Sequence, residues 1–286
     1  MRRRGEARRI DVLSLQEFER SLDSDKLRHP SQLFLYNQLA VEHDRLTRGS
    51  GDPSGRFYGC RDADGLDCIA FFSSTRSLVL GPGSAESGTA FRRIALGKER
   101  GFRILIGPPE PTTALLEGLG SKARIDLDRS QPFLCTEAPL VEPIEARLAT
   151  LQDTAWLVRA SLQLNEEDLL ISAKTVDLEL LRTRIEQRIG ESRTWLVDAG
   201  GRPAAKLEIG NEGPAGALIE GVFTEPSHRS TGLARRLVAE VSRRLLQESP
   251  RVGLHVGRSN EPAIRAYRAA GFVEVADLRL ALLLWK

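Results

Sequence analysis

The stretch Gly221-Val-Phe-Thr-Glu-Pro-Ser-His-Arg-Ser-Thr-Gly-Leu-Ala234 limits what this chain can fold into more than any other. The apolar run Ala217–Thr224 reads as a strand, and Pro226 forces the chain out of it. Arg229-x-x-Gly232-x-Ala234 then opens directly into a long helical pattern, Gly232–Gln247. Such a turn presents free backbone N–H groups at a helix N-terminus, where the dipole also favours negative charge. That is a seat for a pyrophosphate. Gly232 lets the backbone come close to the phosphates, Ala234 keeps the first turn unobstructed, and Arg229 can add a cation at the edge. Alone, a glycine opening a helix is a common steric turn, so a second motif has to carry the reading.

That motif is Asn260-Glu-Pro-Ala-Ile-Arg-Ala-Tyr267-Arg-Ala-Ala-Gly271-Phe272, a helix Glu261–Ala270 ended by Gly271. With Arg229-x-x-Gly232-x-Ala234 and Asn260-x-x-Ala263-x-x-x-Tyr267-x-x-x-Gly271-Phe272 in this order, the sequence from Glu145 to Lys286 resembles the GNAT superfamily of N-acetyltransferases. The resemblance implies an α/β fold of the α+β type, with mixed, mostly antiparallel central sheets flanked by helices. It implies acetyl-CoA as acyl donor, its pyrophosphate held by the turn amides of Arg229, Ser230, Thr231, Gly232, Leu233 and Ala234. The strand Val222, Phe223 and Thr224 would pair with the pantetheine, Asn260 would contact the cofactor, and Tyr267 would lie near the thioester sulfur.

The chemistry accounts for these residue types. An amine attacking a thioester carbonyl needs a backbone N–H, near Val222 or Phe223, to stabilise the developing oxyanion. The departing thiolate is protonated most simply by a phenol beside it, Tyr267. A base must free the amine of its proton, and Glu220 is the candidate: alternation puts it on the face of Val222, and burial would raise its pKa. Glu208 and Glu225 compete for that role. His228 reads as a loop residue, His255 as a satisfied core histidine, and Trp195 and Trp285 as packing. All three cysteines lie in the N-terminal half, so direct transfer without a covalent enzyme intermediate is expected. The competing reading is a module that senses acyl-CoA without turnover.

The chain's 286 residues suit two domains. Pro139 and Pro143 mark a linker within Thr136–Pro143, giving an N-terminal domain of residues 1–140 and a catalytic domain of residues 141–286. The N-terminal half has a helix at Ser31–Leu46 and strands at Arg56–Cys60, Asp67–Ser73 and Arg76–Leu80, with a hairpin turn at Asp64-Gly65. A helix Gly88–Arg100, a strand Phe102–Ile106, a helix Thr112–Leu119 and an extended piece Ala123–Cys135 follow. This is also the GNAT order. The turn Gly81–Gly88, however, has no matching Arg, Glu86 would repel pyrophosphate, and the helix Thr112–Leu119 lacks the Asn and Tyr. The half reads as a degenerate GNAT-like domain that no longer binds CoA, or else as an unrelated α/β domain that shapes the acceptor cleft.

Three cysteines without metal-ligand spacing indicate a reducing cytoplasm. The Arg-rich tip Met1–Arg9 is followed by no apolar segment of a leader, and Leu278–Trp285 is far shorter than the ~20 residues of a bilayer span. A net charge of +2 gives no case for nucleic acid. The expected partners are acetyl-CoA and an amine, with a homodimer compatible and the acceptor itself unspecified.

Overall fold

The computed structural model describes residues 8–49, 51–140, 142 and 144–286, so most of the Arg-rich tip and part of the expected linker, Val141 and Pro143, lie outside the described residues. The chain forms two compact units. One takes the residues up to Pro132 together with Ala276–Lys286; the other takes Phe133–Val275. The division therefore differs from a single cut after residue 140. The chain crosses between units twice, each time within a strand.

The N-terminal unit contains β1 (Arg9–Val12), α1 (Leu15–Leu22), α2 (Asp25–Arg28), α3 (Leu33–Arg48), β2 (Gly55–Asp62), β3 (Gly65–Ser73), β4 (Ser77–Leu80), α4 (Ala85–Leu96), β5 (Ile104–Gly107), α5 (Pro109–Leu119) and most of β6 (Ala123–Thr136). Strands β1 to β5 lie side by side in chain order, antiparallel except for the parallel pair β4 and β5. Alternation along β2 and β3 sorts the aromatics. Phe57 and Phe71 stack at 4.4 Å on the side of α1 and α3, while Tyr58 and Phe72 meet edge-on at 5.7 Å on the side of α4 and α5. The hairpin turns through Ala63 and Asp64, one residue before the expected Asp64-Gly65, and Gly65, at φ 122, opens β3 opposite Asp62. Ser31 does not cap α3: it sits in the short turn Pro30–Gln32, and Gln32 precedes the helix. Strand β1 and helices α1 and α2 were not expected, although Ser14 and Glu17 form a capping box at the start of α1.

The C-terminal unit contains β7 (Ala146–Leu148), α6 (Thr154–Leu169), α7 (Leu178–Gly190), β8 (Thr194–Ala199), β9 (Arg202–Gly213), β10 (Gly216–Thr224), α8 (Leu233–Leu245), β11 (Val252–His255), α9 (Glu261–Ala269) and the start of β12 (Val273–Trp285). Its sheet runs β7-β8-β9-β10-β11, closed by the end of β6, and β10 with β11 is its parallel pair. Helices α8 and α9 bury one face with Ile219 and Leu254; α6 and α7 bury the other with Leu196 and Phe223. Helix α6 runs to Leu169 and stops where Leu170 takes φ 56. The last ten residues of β12 return to the N-terminal unit and pair with β5, Arg279↔Gly107 through Leu282↔Ile104.

Candidate active site

Two backbone departures in β10 build the site. The parallel ladder to β11 ends at Ile219↔Leu254. One residue later the register with β9 slips, from Glu220↔Glu208 to Phe223↔Lys206, with Gly221 at φ 61. An inserted residue of this kind re-aims the side chains that follow. The slip corrects the expected alternation: Glu220 shares its face with Phe223, which packs under α6 and α7, whereas Val222 turns to the core under α8.

Beyond the slip, a cavity of about 610 Å³ opens between the end of β10, the turn before α8 and the first turns of α9. It is lined by Val222, Phe223, Thr224, Arg229, Ser230, Gly232, Leu233, Ala234, Asn260 and Tyr267. Motifs far apart in sequence thus meet in one place. Thr231 does not line the cavity; its hydroxyl donates to the His228 carbonyl at 2.7 Å and braces the turn. Gly232 is the N-cap of α8 at φ 83, and no side chain caps the helix. Ser230 is also left-handed, at φ 64, which no glycine at that position announced.

Several side chains have partners that the sequence did not disclose. The Arg229 guanidinium donates to both carboxylate oxygens of Glu167, at 3.0 and 2.8 Å, and to the Thr224 carbonyl at 3.1 Å. It also lies over the Phe223 ring at 5.8 Å. Arg235 donates to both oxygens of Glu142. Asn260 caps α9, its Oδ1 accepting from the Ala263 amide at 3.2 Å. Tyr267 is buried, and that burial, with the nearby charge of Asp168 adding to it, raises its phenol pKa above the usual value. A phenol in this setting stays protonated.

The carboxylates fall elsewhere. Glu220 is not among the cavity's lining residues. Arg188 of α7 donates to it at 2.6 Å, beside Glu208, which is paired with the buried Lys206. Crowding by protein atoms raises the Glu220 pKa, Arg188 opposes this and Glu208 adds to it, while 43% of the side chain remains open to solvent. Burial pushes Glu208 upward too, but Lys206 and Arg188 outweigh it and hold that group below its usual range. Glu225 accepts from Trp156 Nε1 at 2.6 Å, a packing role. His228 lies on the cavity rim beside Ser227, and Trp195 packs under Arg244. His255 departs from expectation: its Nδ1 is buried without a partner, and burial lowers its pKa to about 4.

The N-terminal unit has the matching turn before α4, and a carboxylate of its own fills it. Asp67 Oδ2 accepts from the Ser84 hydroxyl at 2.6 Å, the Ser87 hydroxyl at 2.6 Å, the Ser84 amide at 3.2 Å and Arg8 at 2.7 Å. Glu110 accepts from the Ala85 amide at 3.2 Å. The helix N-terminus that would face a phosphate is already satisfied.

Residues 162–272 match the family model described as Acetyltransferase (GNAT) family. No curated protein shows significant sequence similarity to the chain. Among solved structures, a Drosophila protein superposes with a TM-score of 0.69 at 13% identity, covering 96% of this chain and 98% of that one. A GCN5-related N-acetyltransferase from Sphaerobacter thermophilus superposes at 0.56 with 15% identity, covering 96% and 94%. An acetyltransferase from the GNAT family of Colwellia psychrerythraea does so at 0.51 with 12% identity, covering 97% and 100%. At these identities the likeness is one of fold, and it extends over both halves. A GNAT-like fold over both halves therefore accompanies a GNAT acetyltransferase domain at residues 162–272.

Proposed function

We propose that the C-terminal unit transfers an acetyl group from acetyl-CoA directly to an amine. One observation carries this reading: a single cavity gathers the parted strand at Val222–Thr224, the uncapped start of α8 and the buried phenol of Tyr267. The residues fit the donor. Ser230, Gly232, Leu233 and Ala234 border the place of a diphosphate, and Arg229 and Arg235 stand at its edge with carboxylate partners that a stronger anion can displace. The donor supplies an activated acyl group; the chain's residues do the rest. The backbone around Val222 and Phe223 steadies charge on the carbonyl oxygen. Tyr267 gives its proton to the departing sulfur. Glu220, with its raised pKa, takes the proton that turns an arriving ammonium into the attacking amine. The N-terminal unit, its turn filled by Asp67, takes no donor. Three unpaired cysteines suit a reducing cytoplasm, and among the described residues no helix is long and apolar enough to cross a membrane.

The test is CoA release from acetyl-CoA across a panel of amines, with donor binding measured by calorimetry. Turnover with at least one amine, reduced in Tyr267→Phe, supports the reading. Tight donor binding with no release under any condition, unchanged in that variant, makes the chain an acyl-CoA sensor instead.

A further inference from the structure

A buried polar atom left without a partner destabilises a native fold, so its presence calls for a reason. His255 Nδ1 is such an atom. Its position supplies the reason. The ladder between β10 and β11 runs through Ala217↔Val252, Leu218↔Gly253 and Ile219↔Leu254 and stops. The next residue on each strand is Glu220 or His255, so these two stand where the strands part. Ile219 and Leu254 are buried under α8. Alternation therefore turns Glu220 and His255 to the opposite face. There Phe133, the cross-strand partner of His255 on β6, holds the imidazole edge-on with ring centroids 4.9 Å apart. A Cβ on Gly253 would strike that same Phe133 ring at 2.2 Å, so glycine is what lets the ring lie there. Charged groups on this side include Glu220 from β10, Glu208 and Lys206 from β9, and Arg188 from α7, with Glu225 and the Arg229–Glu167 pair toward α6. Arg188 already engages Glu220, whereas the imidazole is kept neutral by burial.

We propose that His255 accepts the second proton that the acceptor amine must lose. The inference rests on the acyl-transfer reading and completes it. An ammonium gives its first proton to Glu220 and becomes a neutral amine. Its nitrogen then forms a bond to the thioester carbon, the carbon–sulfur bond breaks, and the sulfur receives the Tyr267 proton. The nitrogen, now positively charged, releases its second proton to His255, and exchange with solvent returns Glu220, the imidazole and the phenol to their starting states.

The experiment compares His255→Ala, His255→Asn and Glu220→Gln in steady-state CoA release, with the acetyl-CoA affinity of each variant as the check that it is folded. Both His255 variants should lose about 10²-fold in kcat while their KM for acetyl-CoA stays unchanged. Added imidazole should restore most of that loss in His255→Ala, because the free base can enter the space vacated, and should leave His255→Asn and Glu220→Gln unaffected. Raising the pH supplies neutral amine, so it should rescue Glu220→Gln but neither His255 variant. A kcat within about threefold of wild type in both His255 variants overturns the proposal. So does a loss in His255→Ala that imidazole leaves untouched, since a merely structural histidine gives that result. If the wild-type chain releases no CoA with any amine, it is the acyl-transfer reading that fails, and this step falls with it.

Discussion

A phenol and a carboxylate show how burial assigns roles to single residues in the two units. Tyr267 is kept protonated by its surroundings, as its proposed role as proton donor to the leaving thiolate requires. Replacing it with Phe removes one oxygen from a buried ring and leaves its packing against Phe272 in place. Tyr267→Phe should therefore lower kcat by about 10²-fold with little change in donor affinity, read by steady-state kinetics and calorimetry. Asp67 serves the other unit. Its burial alone would raise its pKa, but donors from Ser84, Ser87 and Arg8 overcome that and hold the carboxyl at about 2. A depressed acid stabilises the fold fully above its unfolded value, near 4, and loses that contribution as pH falls toward 2. Asp67→Asn should accordingly destabilise the N-terminal unit by about 2 kcal/mol at neutral pH. The difference from wild type should shrink steadily below pH about 4 in denaturant titrations.

Strands and helices of the C-terminal half were legible because their signals are local. Apolar runs, Gly-bounded hairpins and helix-opening turns each lie within a dozen or so residues. Asn165, Glu166 and Glu167 continue helix α6 and bring Glu167 to Arg229. Such pairings, like Arg188 with Glu220, join elements distant in sequence, and no spacing rule could find them. Nor could the slip in β10 be read, since it exists only relative to β9. The turn before α8 was legible, and it carries its own prediction. Gly232 has φ 83, and a Cβ there would meet nothing nearer than Arg235 Nη2 at 3.7 Å. Gly232→Ala has room but the wrong backbone preference, costing about 1 kcal/mol if the turn holds. The cheaper outcome is a turn that relaxes and turns its amides away. Donor affinity should fall by more than the melting temperature suggests, with a loss of tenfold or more in acetyl-CoA binding.

At the scale of the whole molecule, the order of elements along the chain and their membership of folded units do not coincide. The strand that completes the N-terminal sheet beside β5 is Ala276–Lys286, and the strand beside β11 is Phe133–Thr136, which opens the C-terminal unit. Removing Ala276–Lys286 would strip from the N-terminal unit the buried Leu278, Leu280, Leu282 and Leu283 and the ion pair of Arg279 with Asp128. At about 2 kcal/mol for each buried leucine, the loss is roughly 8 kcal/mol, comparable with the 5–15 kcal/mol that holds a typical domain folded. The C-terminal unit gives up nothing assigned to it, because Phe133–Val275 remains whole. A chain ending at Val275 should therefore lose the calorimetric transition of the N-terminal unit and become open to proteolysis before residue 132, yet still bind acetyl-CoA within a few-fold of the wild-type affinity. A chain beginning at residue 141 should do worse at the same assay despite containing every cavity residue. It lacks Phe133 beside His255 and the strand that covers β11. If the second fragment binds the donor as well as the first, the division of strands between units has no energetic consequence for the site.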